Sequence, residues 1–368
     1  DECEHHPQAL QGLRKGSFSM SEGQPDGEEP RKLVLPPKAG RKLALFGAPL
    51  LLVAGLAAGY GHYTDPGPLQ DEKTFVIPHG NNARVTKALQ DDGILSPTWA
   101  SGTFFRIAAF LTHRDGQIHA AELQFPARVS VAHTLEILRH GRPVSHQLTV
   151  PEGLTALRIA AILNKAPALS GDLPTLAEGS VFPQTVSYVW GTSRQALAEK
   201  LQKMMAVKLA AAWDGRNVEA LDGLIQSPQE LLVLASLIER ETAVPSERPM
   251  VARVFLNRLK LGMRLQTDPS VIYGLSNGAG TLDAPLTHED LQTPGPYNTY
   301  LQAGLPPGPI CSPGPTSLDA AAHPADGKML YFVATGTGGH NFAETLADQD
   351  KNIRAYHAHL SATPQNQN

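Results

Sequence analysis

The strongest candidate for chemistry is Glu239, in SLIERET. At about 100° per residue on a helix it projects near Leu232 and Ala235. Leu231, Val233, Leu234, Leu237 and Ile238 make the segment apolar nearly all round, which predicts a buried helix. Burial favours the protonated form of a carboxyl group, and that is how a general acid is made at neutral pH. A structural pairing with Arg240, Arg248 or Arg258 fits the same pattern. Glu241 lies about 200° around the helix from Glu239, so the two cannot serve one substrate atom. Asp268, in QTDP, offers either a second carboxylate of a glycosidase pair or an Asx-turn before Pro269. GTGGH at 336–340 lacks the third glycine of a dinucleotide loop and reads as a tight turn. The 14 histidines form no H-E-x-x-H, and no C-x-x-C occurs. Cys311 sits in a proline-rich loop with no evident His partner. Neither a metal nor another cofactor is expected.

These residues need elements to hold them. SPQELLVLASLIERET opens with a capping box: Ser227 as N-cap, Pro228 at the first helical position, Glu230 three residues on. A second helix is expected from Ser246 to its stop at Gly262, and MRLQTDPSVIYGL after it reads as a loop. TPGPYNTYLQAGLPPGPICSPGP is rich in Pro and Gly yet carries Tyr297, Tyr300, Leu305 and Ile310, the composition of a loop that lines a site. Further upstream, short strands alternate with short helices: TFVIPHG, NNARVTKALQDDGIL, SPTWASGTFFRIAAFL, HAAELQFPARVSV, VAHTLEILRHG and VSHQLTVPEGLT. MLYFVA, TGTGGH and ETLADQDKNIRAYHAHL close the chain as strand, turn and helix.

The 368 residues carry 31 Lys and Arg against 35 Asp and Glu, so a net charge of −4 gives no field to attract nucleic acid. With 42% hydrophobic and 18% charged residues the chain can bury a sizeable core. Two cysteines, Cys3 and Cys311, exclude a disulfide scaffold and a four-thiolate zinc site. LALFGAPLLLVAGLAAGY at 43–60 holds no charge, and a bilayer core of about 30 Å needs roughly 17–25 such residues. Arg31, Lys32, Lys38, Arg41 and Lys42 precede it, whereas Asp65, Asp71 and Glu72 follow it. The positive-inside rule then puts the N-terminus in the cytoplasm. The run is longer than a signal-peptide core and GHYTDPG after it offers no clean A-x-A site, so a retained anchor is expected. Met20 opens MSEGQPDGEEPRK, and residues 1–19 read as an upstream extension.

Several longer segments carry a resemblance. They are LTVPEGLT at 148–155, EGSVFP at 178–183, ASLIERETAVPSERPMVARVFLNRLKLGMRLQTDPSVIYG at 235–274, PYNTYLQAGLPPGPICSPG at 296–314 and YFVATGTGGHNFAET at 331–345. In this order they resemble the endolytic murein transglycosylases, the YceG-like family. The resemblance implies an α+β fold: an N-terminal transmembrane helix, a small LysM-like α/β module and an α+β catalytic domain. The expected boundaries are 1–42 for a disordered cytoplasmic tail, 43–62 for the membrane helix, 63–74 for a linker, 75–147 for the LysM-like module and 148–362 for the catalytic domain. It places the chain in the inner membrane as a single-pass protein with its catalytic domain periplasmic.

The resemblance also implies a reaction. Glu239 would protonate the glycosidic oxygen between N-acetylmuramic acid and N-acetylglucosamine, then help the muramyl 6-hydroxyl attack C1, leaving a 1,6-anhydro end. No second, water-holding carboxylate is then required. Gln266, Thr267, Asp268, Tyr297, Asn298, Thr299 and Tyr300 are the implied substrate contacts, since aromatic faces and amides suit pyranose rings and N-acetyl groups. Ser236, Glu241, Thr242 and His340 are supporting candidates. The implied partners are peptidoglycan strands, the inner membrane and peptidoglycan synthases. Gln184 and Val186 stand where the family usually has an acidic and an aromatic residue, and Asp348 and Gln349 where it usually has Glu and His. Two other readings compete: a non-catalytic peptidoglycan-binding scaffold, and a hydrolase pairing Glu239 with Asp268.

Overall fold

The computed structural model describes residues 37–362, with side chains from 49 to 361. Most of the expected tail therefore lies outside the described residues, as does Cys3. The chain divides into two units, 1–61 and 62–368. In the first, helix α1 (Pro37–Thr64) begins within the stretch assigned to the tail and runs through Pro49 into the second unit. Leu50, Leu51, Leu52, Val53 and Leu56 are exposed on it. Among the described residues, no helix is long and apolar enough to cross a membrane.

The second unit starts with β1 (Lys73–Val76), α2 (Asn82–Asp91), α3 (Trp99–Leu111), β2 (Glu122–Phe125) and α4 (Val131–His140). The helices start at Asn81, Thr98 and Ser130, whose side-chain oxygens accept backbone N–H groups three residues on. β1 pairs antiparallel with β2, Phe75 opposite Leu123. Ile77, Leu89, Phe105, Phe125, Leu135 and Leu138 fill the core between them.

A second core follows. β3 (Ser145–Thr149) pairs antiparallel with β4 (Thr185–Val189), Leu148 opposite Val186, while α5 (Ala156–Lys165) and α6 (Arg194–Asp214) supply Ile159, Leu163, Leu197 and Leu201. Val186 is buried in this core, so the missing aromatic side chain is a packing change within a sheet. Gln184 spends its side-chain amide on the Met204 sulfur, and its main-chain carbonyl accepts the Val150 N–H.

The third core is helical. α7 (Val218–Leu221), α8 (Pro228–Glu241), α9 (Arg248–Lys260), α10 (Asp268–Leu275) and α11 (Pro315–Ala322) precede the β5 (Tyr331–Ala334) and β6 (His340–Ala343) hairpin and α12 (Leu346–Ala362). The Ser227 hydroxyl caps α8 by accepting the Glu230 N–H, and the Glu230 carboxylate accepts the Gln226 N–H. Every residue of α8 from Leu231 to Ile238 is buried, packed by α9 and α11 through Val251, Phe255, Leu318 and Ala321. The expected helix from Ser246 starts instead as a 3-10 turn, Pro245–Glu247, and becomes α9 at Arg248. The expected loop after Gly262 contains α10, because Pro269 sits at a position where a helix needs no N–H donor. GTGGH is the turn of the β5–β6 hairpin, with Ala334 opposite His340.

Candidate active site

Glu239 projects from the last turn of α8 with a side chain only 6% exposed. Its Oε1 accepts from Nη2 of Arg248 at 3.1 Å, and its Oε2 accepts the Gly314 N–H at 2.9 Å. Both oxygens therefore meet donors, one of them charged. Of the three arginines considered, Arg248 is the partner. Arg240 turns away, donating to the Gly153 and Gly280 carbonyls at 3.3 Å each. Arg258 donates to the Leu330 and Leu265 carbonyls and holds α9 against those two segments.

A second carboxylate meets the same guanidinium. Glu152, in the PEG turn after β3, lies 3.9 Å from Nη1 of Arg248 and is 42% exposed. Burial raises its proton affinity, the Glu239 charge adds to this, and Arg248 opposes both. Arg248 also donates to Thr316 Oγ1, while its buried Nε finds no acceptor. Two backbone bonds fix the arrangement: Gly153 N–H to Ser312 O and Ser312 N–H to Leu154 O, both 2.9 Å. Gly153 needs its positive φ of 73° for this turn. At Gly314 a Cβ would collide with the Glu152 carboxyl group, so the absence of a side chain there makes room for that acid.

Glu241 ends α8 in different surroundings. Burial pushes it up to about 7, and the Asp268 charge adds to the rise; the Thr267 hydroxyl, His340 and Arg258 oppose it. Asp268 Oδ1 accepts the Tyr300 hydroxyl at 2.6 Å, and burial with that bond raises the Tyr300 hydroxyl's proton affinity well above the usual tyrosine range. His340 is held by Glu247, whose Oε1 accepts the His340 N–H and whose Oε2 lies 2.8 Å from Nδ1. The Thr242 hydroxyl donates to the same Glu247 carboxylate.

The remaining implied contacts separate by burial. Thr267, Asn298 and Thr299 are 1–3% exposed and bonded internally: Asn298 donates to the Leu291 and Thr293 carbonyls, and the Thr299 hydroxyl accepts the Thr267 N–H. Ser236 is fully buried and joins the Val233 carbonyl to the Ile310 N–H. These four shape the loops around the site. Gln266 is exposed at a φ of 50°, a left-handed conformation that costs a non-glycine residue energy. Tyr297 lines a cavity of about 510 Å³ with Tyr273, Asn277 and Pro296. Its ring meets Tyr273 edge-on at 4.8 Å, and the Tyr273 hydroxyl donates to Glu178, whose other oxygen accepts the Ala156 N–H. Among the described residues, no group of His, Cys, Asp and Glu is arranged to hold a metal ion.

The profile of the YceG-like family matches residues 75–355. The chain belongs to that family. It is 43% identical over 130 residues to a Bacillus subtilis (strain 168) protein named endolytic murein transglycosylase, an alignment covering 35% of each chain. A Streptococcus pneumoniae (strain D39) protein of the same name is 27% identical over 355 residues, covering 82% of this chain. This YceG-like chain spans about 62% of that relative's length. A crystal structure of a YceG-like protein from Listeria monocytogenes is 27% identical, covers 77% of this chain and 99% of its own, and superposes with a TM-score of 0.46.

Two residues of this YceG-like chain's site carry no local signal in the sequence. Glu152 is a lone acid in a turn, and Gly314 is one glycine in a loop full of them. Their roles follow from meeting Arg248 and Glu239 across the fold. PEG and SPG both lie within the segments that carry the resemblance, and the clasp joins Gly153 of the first to Ser312 of the second.

Proposed function

We propose that this chain is a membrane-anchored lytic transglycosylase that cuts the bond between N-acetylmuramic acid and N-acetylglucosamine inside peptidoglycan strands, with Glu239 as its acid and base. The observation that carries this reading is the sheltered Glu239 carboxylate, held between a guanidinium and a backbone amide. Family membership and the names of the relatives support the substrate class.

The step conserves atoms. Glu239 gives its proton to the glycosidic oxygen as the C1–O4 bond breaks. It then takes the proton of the muramyl 6-hydroxyl as O6 bonds to C1, and no water is consumed. Arg248 and the Gly314 N–H steady the carboxylate formed after the first transfer. Glu152 faces the same guanidinium, and burial with the Glu239 charge raises its proton affinity, so it stands as a second acid beside Glu239. Asp268 is tied to Tyr300 and belongs with Glu241, which weakens the case for a two-carboxylate hydrolase.

On this reading Tyr273 and Tyr297 line the glycan-binding cavity, and the 148–362 segment forms the catalytic domain outside the inner membrane. The apolar run at 43–60 anchors the chain with its N-terminus in the cytoplasm. The 75–147 segment, with its own core, acts as a LysM-like module, and synthases of the wall are natural partners.

The test is digestion of intact peptidoglycan by the full chain and by Glu239→Gln, with products read by mass spectrometry. Internal fragments ending in 1,6-anhydromuramic acid are expected from the wild type alone. Reducing ends would point to hydrolysis, and binding without cleavage by either protein would point to a scaffold.

A further inference from the structure

α3 is apolar on two opposite faces. Ser101, Phe105, Ala108 and Ala109 are buried against the module core. Trp99, Ile107, Phe110 and Leu111 are 82%, 52%, 70% and 71% exposed. At about 100° per residue those four, with Arg106, fall within one arc of roughly 140°. A helix hydrophobic all round is normally covered all round, and a contiguous exposed apolar face marks an interaction surface. Arg106 is the only charge in the helix, and Arg114 lies just beyond its end, also exposed.

The position of this face names its occupant. His62, two residues beyond the apolar run, packs its ring edge-on against Phe104 of α3 at 4.7 Å. Tyr63 packs against the same module core. Phe104 borders the exposed arc, one helical repeat from Leu111. His62 and Tyr63, which follow the apolar run in sequence, thus lie at the rim of the exposed face. Trp with Phe, Leu and Arg is the composition that sits at a bilayer interface, the rings at headgroup level and the guanidinium among phosphates.

We propose that the outer face of α3 lies on the lipid surface beside the anchor, a second membrane contact that fixes the orientation of the outer segment. The proposal rests on the anchor reading. Its occupant is a bilayer containing anionic lipid, which complements Arg106 and Arg114.

The test uses the full chain in phosphatidylcholine–phosphatidylglycerol vesicles with lipid brominated in the upper acyl chain. Tryptophan emission of wild type and Trp99→Phe is compared; the exchange is at an exposed site, so the fold is kept. With the face buried about 5–10 Å into the boundary, bromine is expected to quench the Trp99 contribution about twofold, and Trp99→Phe to abolish that quenching. A chain that floats with the vesicles while Trp99 stays unquenched overturns this proposal and leaves the anchor standing. A chain that does not float overturns both. A blue shift of Trp99 without bromine quenching puts another occupant on the face, a second copy or a glycan strand, and also overturns it.

Discussion

Glu239 and Glu241 stand two residues apart on one helix and live in opposite electrostatic worlds. Glu239 has a guanidinium on one oxygen and a backbone amide on the other. Glu241 turns about 200° away, toward another acid and the Thr267 hydroxyl, and burial holds its proton up to about 7. Each lesson depends on the partner elements rather than on α8. The start of α9 and the start of α11 bring charge and an N–H to Glu239. The start of α10 brings a like charge to Glu241. A carboxyl group's role in this fold is thus set by the helix termini that face it.

The comparison is broken most sharply by neutralising each acid in turn. Glu239→Gln is expected to lower anhydro-product formation by about 10²–10⁴-fold, while Glu241→Gln lowers it less than about tenfold, both read as initial rates on sacculi. Equal losses would make the two acids one machine. Arg248→Ala leaves Glu239 buried without its counter-charge and should cost about 3–5 kcal/mol of unfolding free energy, measured by urea titration. If the loss is within error, Arg248 is not what stabilises that end of α8.

The Glu241 side is sharpened by pH. Folded, the acid keeps its proton to about 7; unfolded, it releases it near 4.5. The folded state binds more protons between those values, so stability falls as pH rises through the window, by roughly 3 kcal/mol in all. Glu241→Gln should remove that slope, so urea midpoints at pH 5 and pH 8 converge. The smallest effect is expected at Gly314→Ala. The new methyl group displaces the flexible end of Glu152, so stability should change by less than about 1 kcal/mol. Activity should drop more than stability, because Glu152 leaves Arg248.

The local rules were legible wherever the cause is local. Ser227, Pro228 and Glu230 announce the start of α8, and its unbroken apolar run announces burial. The turn at 336–340 is plain from its glycines. α10 was hidden because Asp268 before Pro269 reads as a turn, although a proline in the first turn is compatible with a helix. Glu239's choice of Arg248 over Arg240 was equally hidden, because it is decided by the Gly153 and Gly280 carbonyls that take Arg240. The burial of Thr267, Asn298 and Thr299 is a tertiary fact of the same kind: their types suit sugars, but they are bonded inward.

The two-bond clasp between the PEG turn and Ser312 joins positions about 160 residues apart, a long loop whose closure entropy the packed contacts must offset. Glu152 and Gly314 are brought to Glu239 by that closure, so a partly synthesised or partly folded chain has the acid but not its surroundings. Under the proposed reading the ability to cut the wall is withheld until the segment around Ser312 has docked, and a chain truncated before it carries the acid without the backbone amide that holds it.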